Sequence, residues 1–285
     1  MTAAAREAPA GVAVVSSGLS RSRLYGGLFL LAMLNAASGA AIDAIGDLGF
    51  VGAALALFNI SAVVWMALAA GLALAWANPD PTPVRTADLW LAGAVGLAAL
   101  LPLPTASGVM LSAVGLWAAF TAPRGSRLRR AAIIFVAVSG TLLWGKVMLT
   151  VFTRPVLEMD SWLMSAVLDV RQEGNVVWRE GGTVAAVIST GCSSIHGVSL
   201  ALVCWAVVTQ YFEVPFDRRS VLTAVAAVLA TMAVNMARIG GILVSPEWAR
   251  IIHDGWGATV SMWLTLALVI GICVFGGRRE VLARG

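Results

Sequence analysis

Apolar runs of about 20 residues, the length of one bilayer crossing, recur from one end of this chain to the other. Eight segments qualify, at approximately 24–42, 50–76, 87–101, 103–121, 131–152, 191–212, 220–244 and 256–276. Charged residues make up only 12% of the 285-residue chain and apolar residues 59%, with a mean hydropathy of +0.88. A soluble domain carries roughly 25% charged residues, so water is not the main solvent of this fold. The expected class is an all-α polytopic membrane protein of about eight transmembrane helices, forming one integral domain.

Two of these runs have a second reading. The first, Leu24–Ile42, ends in Ala36-Ala37-Ser38-Gly39-Ala40, a small-residue stretch compatible with a cleaved signal peptide. Its length favours a transmembrane helix. The third and fourth runs are separated only by Pro102-Leu103-Pro104. Proline cannot continue a helix cleanly, so a tight re-entry is expected there, with a single kinked segment as the alternative.

The formal charge of +4 does not indicate nucleic acid, because the basic residues mark the ends of apolar runs. With the N-terminus inside, the inner segments hold Arg6, Arg21, Arg23, Arg85, Arg124, Arg127, Arg129, Arg130, Arg218, Arg219, Arg278, Arg279 and Arg284. The outer segments hold only Arg154, Arg171, Arg179 and Arg250, while Lys146 and Arg238 lie within helices. Thirteen against four orients the chain with both termini in the cytoplasm. The expected organisation is a cytoplasmic tail (1–23), five helices (24–152), then an outer loop with three further helices (153–285).

The largest outer segment is about 153–190. Within it, Asn175–Trp178 and Thr183–Ile188 flank Arg179-Glu180-Gly181-Gly182, with β-branched residues on both sides of a Gly-Gly turn. That pattern predicts a small β-hairpin leading into the sixth helix. Three cysteines are too few for a disulfide framework. No Cys/His cluster has zinc spacing, and no nucleotide-binding fingerprint is present, so no metal or cofactor is implied.

Polar residues inside or at the rim of a membrane are costly and need a reason. Three fall at one face. Cys192 is expected to begin the sixth helix, capped by Ser189 or Thr190, where the helix dipole would favour the thiolate. Packing is the plain reading of a lone membrane cysteine. Arg238 lies just below the outer end of the seventh helix, with Asn235 three residues earlier on the same face. Its plain reading is a snorkelling cation. His253 lies in the outer connection before the eighth helix, and is one of two histidines. Together they supply a nucleophile, a fixed cation and an acid/base, which is an acyl-transfer set. A transporter lined by midplane polar groups and a non-catalytic assembly subunit are the competing classes.

Four short motifs then resemble one family. They are Glu173-Gly174-Asn175, Gly191-Cys192-Ser193-Ser194, Asn235-Met236-Ala237-Arg238 and the downstream His253. Their order over about 155–260 resembles the exosortase/archaeosortase family of polytopic membrane cysteine transpeptidases. The resemblance implies Cys192 as nucleophile, Arg238 as oxyanion or substrate stabiliser and His253 as acid/base. Ser193, Glu173, Asn175 and Asn235 are implied as pocket or substrate-binding residues. It also implies a place in the cell inner membrane, with the active site facing outward. The implied substrates are membrane-anchored exported proteins with a C-terminal sorting signal: a short motif such as Pro-Glu-Pro, an apolar helix and a basic tail. The acceptor stays open. Ser194 stands where the family usually has Gly, and His196 where Arg is common, which leaves the substrate motif open. His196, four residues after Cys192, is the other candidate acid/base or pocket residue. Lys146, near the outer end of the fifth helix, either snorkels or approaches the site. Cys204 and Cys273 are expected to be packing residues.

Overall fold

The computed structural model describes residues 19–77, 82–100, 104–182, 184–253 and 256–284. It is a helical bundle with a small sheet seated at one end. Five helices are long and apolar enough to cross a membrane: α1 (Arg21–Leu55), the continuous rod Arg127–Val151, α8 (Ser194–Tyr211), α9 (Arg218–Ile242) and α11 (Trp256–Gly276). Three shorter apolar helices complete the bundle: α2 (Ala62–Trp76), α3 (Thr86–Ala99) and α4 (Pro104–Thr121). The best window of α11 has a hydropathy of 2.2, yet only 11% of it is buried. Such a surface is stable in lipid and not in water.

These helices fall on the expected apolar runs, with shifted ends. Helix α1 continues past Ile42 through exposed Asp43 and Asp47 to Leu55, kinking at Gly49, whose φ of +68° suits a residue without Cβ. Helix α2 therefore starts at Ala62 and not near 50. Helices α3 and α4 are separate and pack against each other. Of the expected Pro102-Leu103-Pro104 turn, Pro102 and Leu103 lie outside the described residues. The rod Arg127–Val151 consists of α5 (Arg127–Ser139), a π-helical turn (Gly140–Trp144) and α6 (Gly145–Val151).

The main core gathers Tyr25, Phe29, Leu111, Val114, Phe135, Val138, Val203 and Cys204 from α1, α4, α5 and α8. Phe29 and Phe135 stack at 4.1 Å between ring centroids. One polar assembly lies buried at one end of this bundle. Arg21 donates from Nε to Asp88 at 2.9 Å and from a terminal nitrogen to its other oxygen at 3.1 Å. Tyr25 and Trp117 also donate to Asp88, at 2.6 and 3.0 Å, and Arg21 reaches the Thr121 carbonyl at 3.1 Å. Arg21 is 1% exposed and Asp88 0%. Arg21, counted among the inner basic residues, is thus a buried ion held within the fold.

At the opposite end of the fold from this pair's contacts, the 153–190 segment is more ordered than a loop. It holds α7 (Thr153–Val167), an amphipathic helix burying Val156, Leu157, Asp160, Ser161 and Met164. A three-stranded antiparallel sheet follows: β1 (Arg171–Glu173), β2 (Val176–Trp178) and β3 (Ala185–Val187). The expected hairpin is β2–β3, paired Val176 with Val187 and Trp178 with Ala185. Strand β1 adds to it through the Gly174-Asn175 turn. Thr183, within the expected second strand, lies outside the described residues. A second apolar cluster of Leu157, Met164, Val170, Val177, Ile188, Ile239 and Leu243 ties α7 and the sheet to the end of α9. The short helix α10 (Pro246–His253) caps this end, and α12 (Arg278–Arg284) follows α11.

Candidate functional site

The site forms where the sheet feeds into α8. Asn175 closes the sheet there: its side chain donates to the Ile188 carbonyl at 3.0 Å, and its own carbonyl accepts from the Ile188 amide at 2.8 Å. The chain then turns, with the Cys192 amide donating to the Ser189 carbonyl at 3.0 Å. Ser193, not Ser189 or Thr190, is the N-cap of α8, its hydroxyl accepting from the Ile195 amide at 3.4 Å. Cys192 therefore precedes the cap and lies outside the first helical turn. The two-residue difference arises because Ser193 satisfies an orphan amide directly.

A buried carboxylate anchors this turn. Asp160 of α7 is 4% exposed. One of its oxygens accepts from the Ser193 hydroxyl at 2.7 Å and from the Ser194 amide at 3.1 Å. The positive pole of α8, expected to act on the thiol, faces this carboxylate instead. From the other side, Asn235 of α9 donates to the Cys192 carbonyl at 2.8 Å and to the Ser194 hydroxyl at 3.2 Å. The tripeptide Cys192–Ser194 is thus clamped between α7 and α9. Asp160 was not singled out from the sequence. Its signal was an acidic residue in the apolar stripe Val156, Leu157, Ser161, Met164.

A cavity of about 640 Å³ opens beside the clamp. Gly191, Ser193, Ser194, His196, Asn235 and Arg238 line its polar part. Asn59, Ser61, Thr231, Ser261 and Thr265 add further hydroxyl and amide groups, apolar side chains such as Leu55, Leu200, Val234 and Met262 line the rest, and no acidic residue lines it among the described residues. Helices α8 and α9 approach closely under its floor. A Cβ at Gly197 would lie 2.4 Å from Thr231 Cγ2, so only glycine fits. Near its upper wall, Leu57, Phe58 and Asn59 form a left-handed turn, with φ of 52°, 55° and 56°. Non-glycine residues pay about 1–2 kcal/mol each in that region. The Trp65 indole holds the turn by donating to the Leu57 carbonyl at 3.1 Å.

Arg238 is half-buried in this cavity, and its Nε is buried with no hydrogen-bond partner. A guanidinium nitrogen in that state is a vacant donor. His196 is exposed and faces the same cavity. Lys146, exposed on α6, lies within electrostatic reach of His196. The Cys192 side chain is half-buried against the second apolar cluster, while its neighbours Gly191 and Ser193 line the cavity. His253 is exposed at the end of α10 and does not line the cavity, although Ala258, early in α11, does. It ends a helix, where a loop was expected. Asp254 and Gly255 beside it lie outside the described residues. Glu173 is exposed on β1 and away from the cavity lining. Cys204 and Cys273 are buried in the main core as free thiols.

The arrangement brings Arg238 and His196 to one cavity and holds the Cys192 backbone at its edge, while His253 stands outside the lining. No protein-family model matches the chain, and no curated protein or solved structure matches it at a significant level.

Proposed function

We propose that this chain is a membrane-embedded cysteine transpeptidase of the exosortase/archaeosortase type, acting on C-terminal sorting signals of exported proteins. The observation that carries the proposal is the clamp: Asn235 grips the Cys192 backbone, and Arg238, one helical turn further along α9, lines the adjoining cavity with its buried Nε unpartnered among the described residues. One helix that holds the proposed nucleophile's backbone and carries a cation three residues later supports this reading.

In the proposed reaction a histidine takes the Cys192 thiol proton as the sulfur attacks the scissile carbonyl carbon. Arg238 takes the developing oxyanion. The histidine gives that proton to the leaving amine as the C–N bond breaks, leaving a thioester on Cys192. The acceptor, an amine or hydroxyl, then attacks the thioester as the same histidine takes up its proton, and the C–S bond breaks as the histidine passes that proton to the sulfur, restoring the thiol and the neutral histidine. His253 is assigned as this acid/base on motif position. His196 is assigned to the cavity wall, where with Lys146 it would meet a polar substrate group. Glu173, exposed on β1, would contact the substrate before it reaches the turn.

The proposed topology has eight crossings in the cytoplasmic membrane, both termini inside and the sheet end outside. The thirteen-to-four split of basic residues supports it, and so do exposed Trp162 and Trp248 on the two amphipathic helices at the sheet end.

The test is co-expression with an exported reporter carrying a motif–helix–basic tail. Wild type is expected to cleave the tail. Cys192→Ala is expected to accumulate normally in the membrane and leave the tail intact. Cleavage by Cys192→Ala at the wild-type rate would refute the assignment. His253→Ala is expected to reduce processing by about 10²–10⁴-fold, and His196→Ala by much less. The reverse order would move the acid/base role to His196.

A further inference from the structure

Among the described residues one buried carboxylate, that of Asp160, touches the Cys192 turn, and nothing in the reaction described above uses it. Asp160 sits on α7, an amphipathic helix whose inner stripe of Val156, Leu157, Ser161 and Met164 is otherwise apolar or hydroxylic. A carboxylate buried to 4% exposure is expensive unless its oxygens are occupied. Here a single oxygen accepts both the Ser193 hydroxyl, at 2.7 Å, and the Ser194 amide, at 3.1 Å. Those two donors flank the peptide that follows Cys192 and open α8.

The consequences are geometric. Ser193 and Ser194 cannot rotate away from α7 without stranding that oxygen, and Asn235 holds the same segment from α9. The thiol's position, half-buried against the second apolar cluster, is therefore set by two helices that belong to different parts of the chain. Asn235 faces the Cys192 carbonyl, whereas Asp160 faces the amide side of the turn. Losing either releases one half of the clamp.

We propose that Asp160 is a positioning residue for Cys192: it locks the Ser193–Ser194 backbone to α7 and so fixes where the thiol is presented. The functional half of this proposal rests on the transpeptidase reading. The geometric half does not.

Both hydrogen bonds end on one oxygen, so an amide oxygen can replace it. Asp160→Asn keeps that acceptor and removes the charge. Asp160→Ala removes the acceptor and leaves both donors stranded. The experiment is timed alkylation of membrane-embedded protein with N-ethylmaleimide, quantified by mass spectrometry of the Cys192 and Cys204 peptides. Cys204 is 0% exposed in the core and reports general unfolding. In Asp160→Ala, Cys192 is expected to react about tenfold faster as the turn loosens, with Cys204 still protected. Reporter processing in the same variant is expected to fall by about a hundredfold through misplacement of the nucleophile. Asp160→Asn is expected to recover most of both properties. Ser193→Ala, which removes one of the two bonds, is expected to give a smaller shift in the same direction, and it decides the matter should Asp160→Ala fail to accumulate.

Three results would overturn the proposal. One is unchanged Cys192 alkylation in Asp160→Ala or Ser193→Ala. Another is Cys204 exposure rising in step with Cys192, which would make Asp160 a general fold residue. The third is Asp160→Asn behaving like Asp160→Ala, which would assign the effect to charge. Absence of processing by wild type itself would refute the transpeptidase reading and leave the alkylation result standing.

Discussion

Two arginines at different places in this bundle are treated in opposite ways. Arg21 is 1% exposed and bonded on every side, to Asp88 through two nitrogens and to Thr121 through its carbonyl. Asp88 in turn collects Tyr25 and Trp117. Arg238 is half-buried in a cavity that no acidic group lines among the described residues, and its Nε is unpartnered among them. A guanidinium costs free energy in either place. At Arg21 the cost is offset within the fold. At Arg238 no described group offsets it, which is the state the proposed role would require.

The contrast makes ordered predictions. The largest effect belongs to Asp88→Ala, which leaves Arg21 buried without a counter-ion and is expected to cost about 3–5 kcal/mol. It should be read as loss of the protein from the membrane, or a sharply lowered melting temperature in detergent. Replacing both partners by apolar residues of similar size is expected to recover most of that loss. A stable, well-accumulating Asp88→Ala protein would break the comparison from the structural side.

Next comes Arg238→Gln. With no internal partner to strand, it is expected to leave the melting temperature at or above wild type. Processing should fall by about 10²–10³-fold, the scale of one lost oxyanion donor. Loss of fold without loss of specific activity would show that Arg238 is structural like Arg21.

Asn235→Ala should show both faces. It strands the Ser194 hydroxyl and the Cys192 carbonyl, at about 1–3 kcal/mol, and it lowers processing further than that instability explains. The smallest effect is expected from Asn175→Ala, which loses one 3.0 Å hydrogen bond to the Ile188 carbonyl. About 1 kcal/mol is the expected scale, measured as a modest drop in melting temperature with processing nearly retained.

The sequence made the long helices legible because apolar runs in lipid need no tertiary partner to be recognised. Helix α11 spans Trp256–Gly276, as its apolar run indicates. The hairpin β2–β3 was legible from its Gly-Gly turn and flanking β-branched residues. Helix α7 was not, because an amphipathic helix of 15 residues falls short of an apolar run and its stripe has meaning only against the sheet it covers. The start of α8 was misjudged by two residues, since three hydroxylic residues compete for the cap and only packing selects Ser193. The Arg21–Asp88 pair joins residues 67 apart, a distance across which sequence spacing carries no information. For the candidate site, Asn235 and Arg238 were legible through helical periodicity on α9. Asp160 was not, because its partners lie more than 30 residues downstream on another helix.

The most direct measurement of the central claim is intact mass spectrometry of the purified protein after brief exposure to a reporter with a motif–helix–basic tail. The expected result is a hydroxylamine-labile adduct on the Cys192 peptide with the mass of the cleaved reporter, absent from Cys192→Ala. Cleaved reporter with no adduct on Cys192, produced equally by Cys192→Ala, would contradict the account.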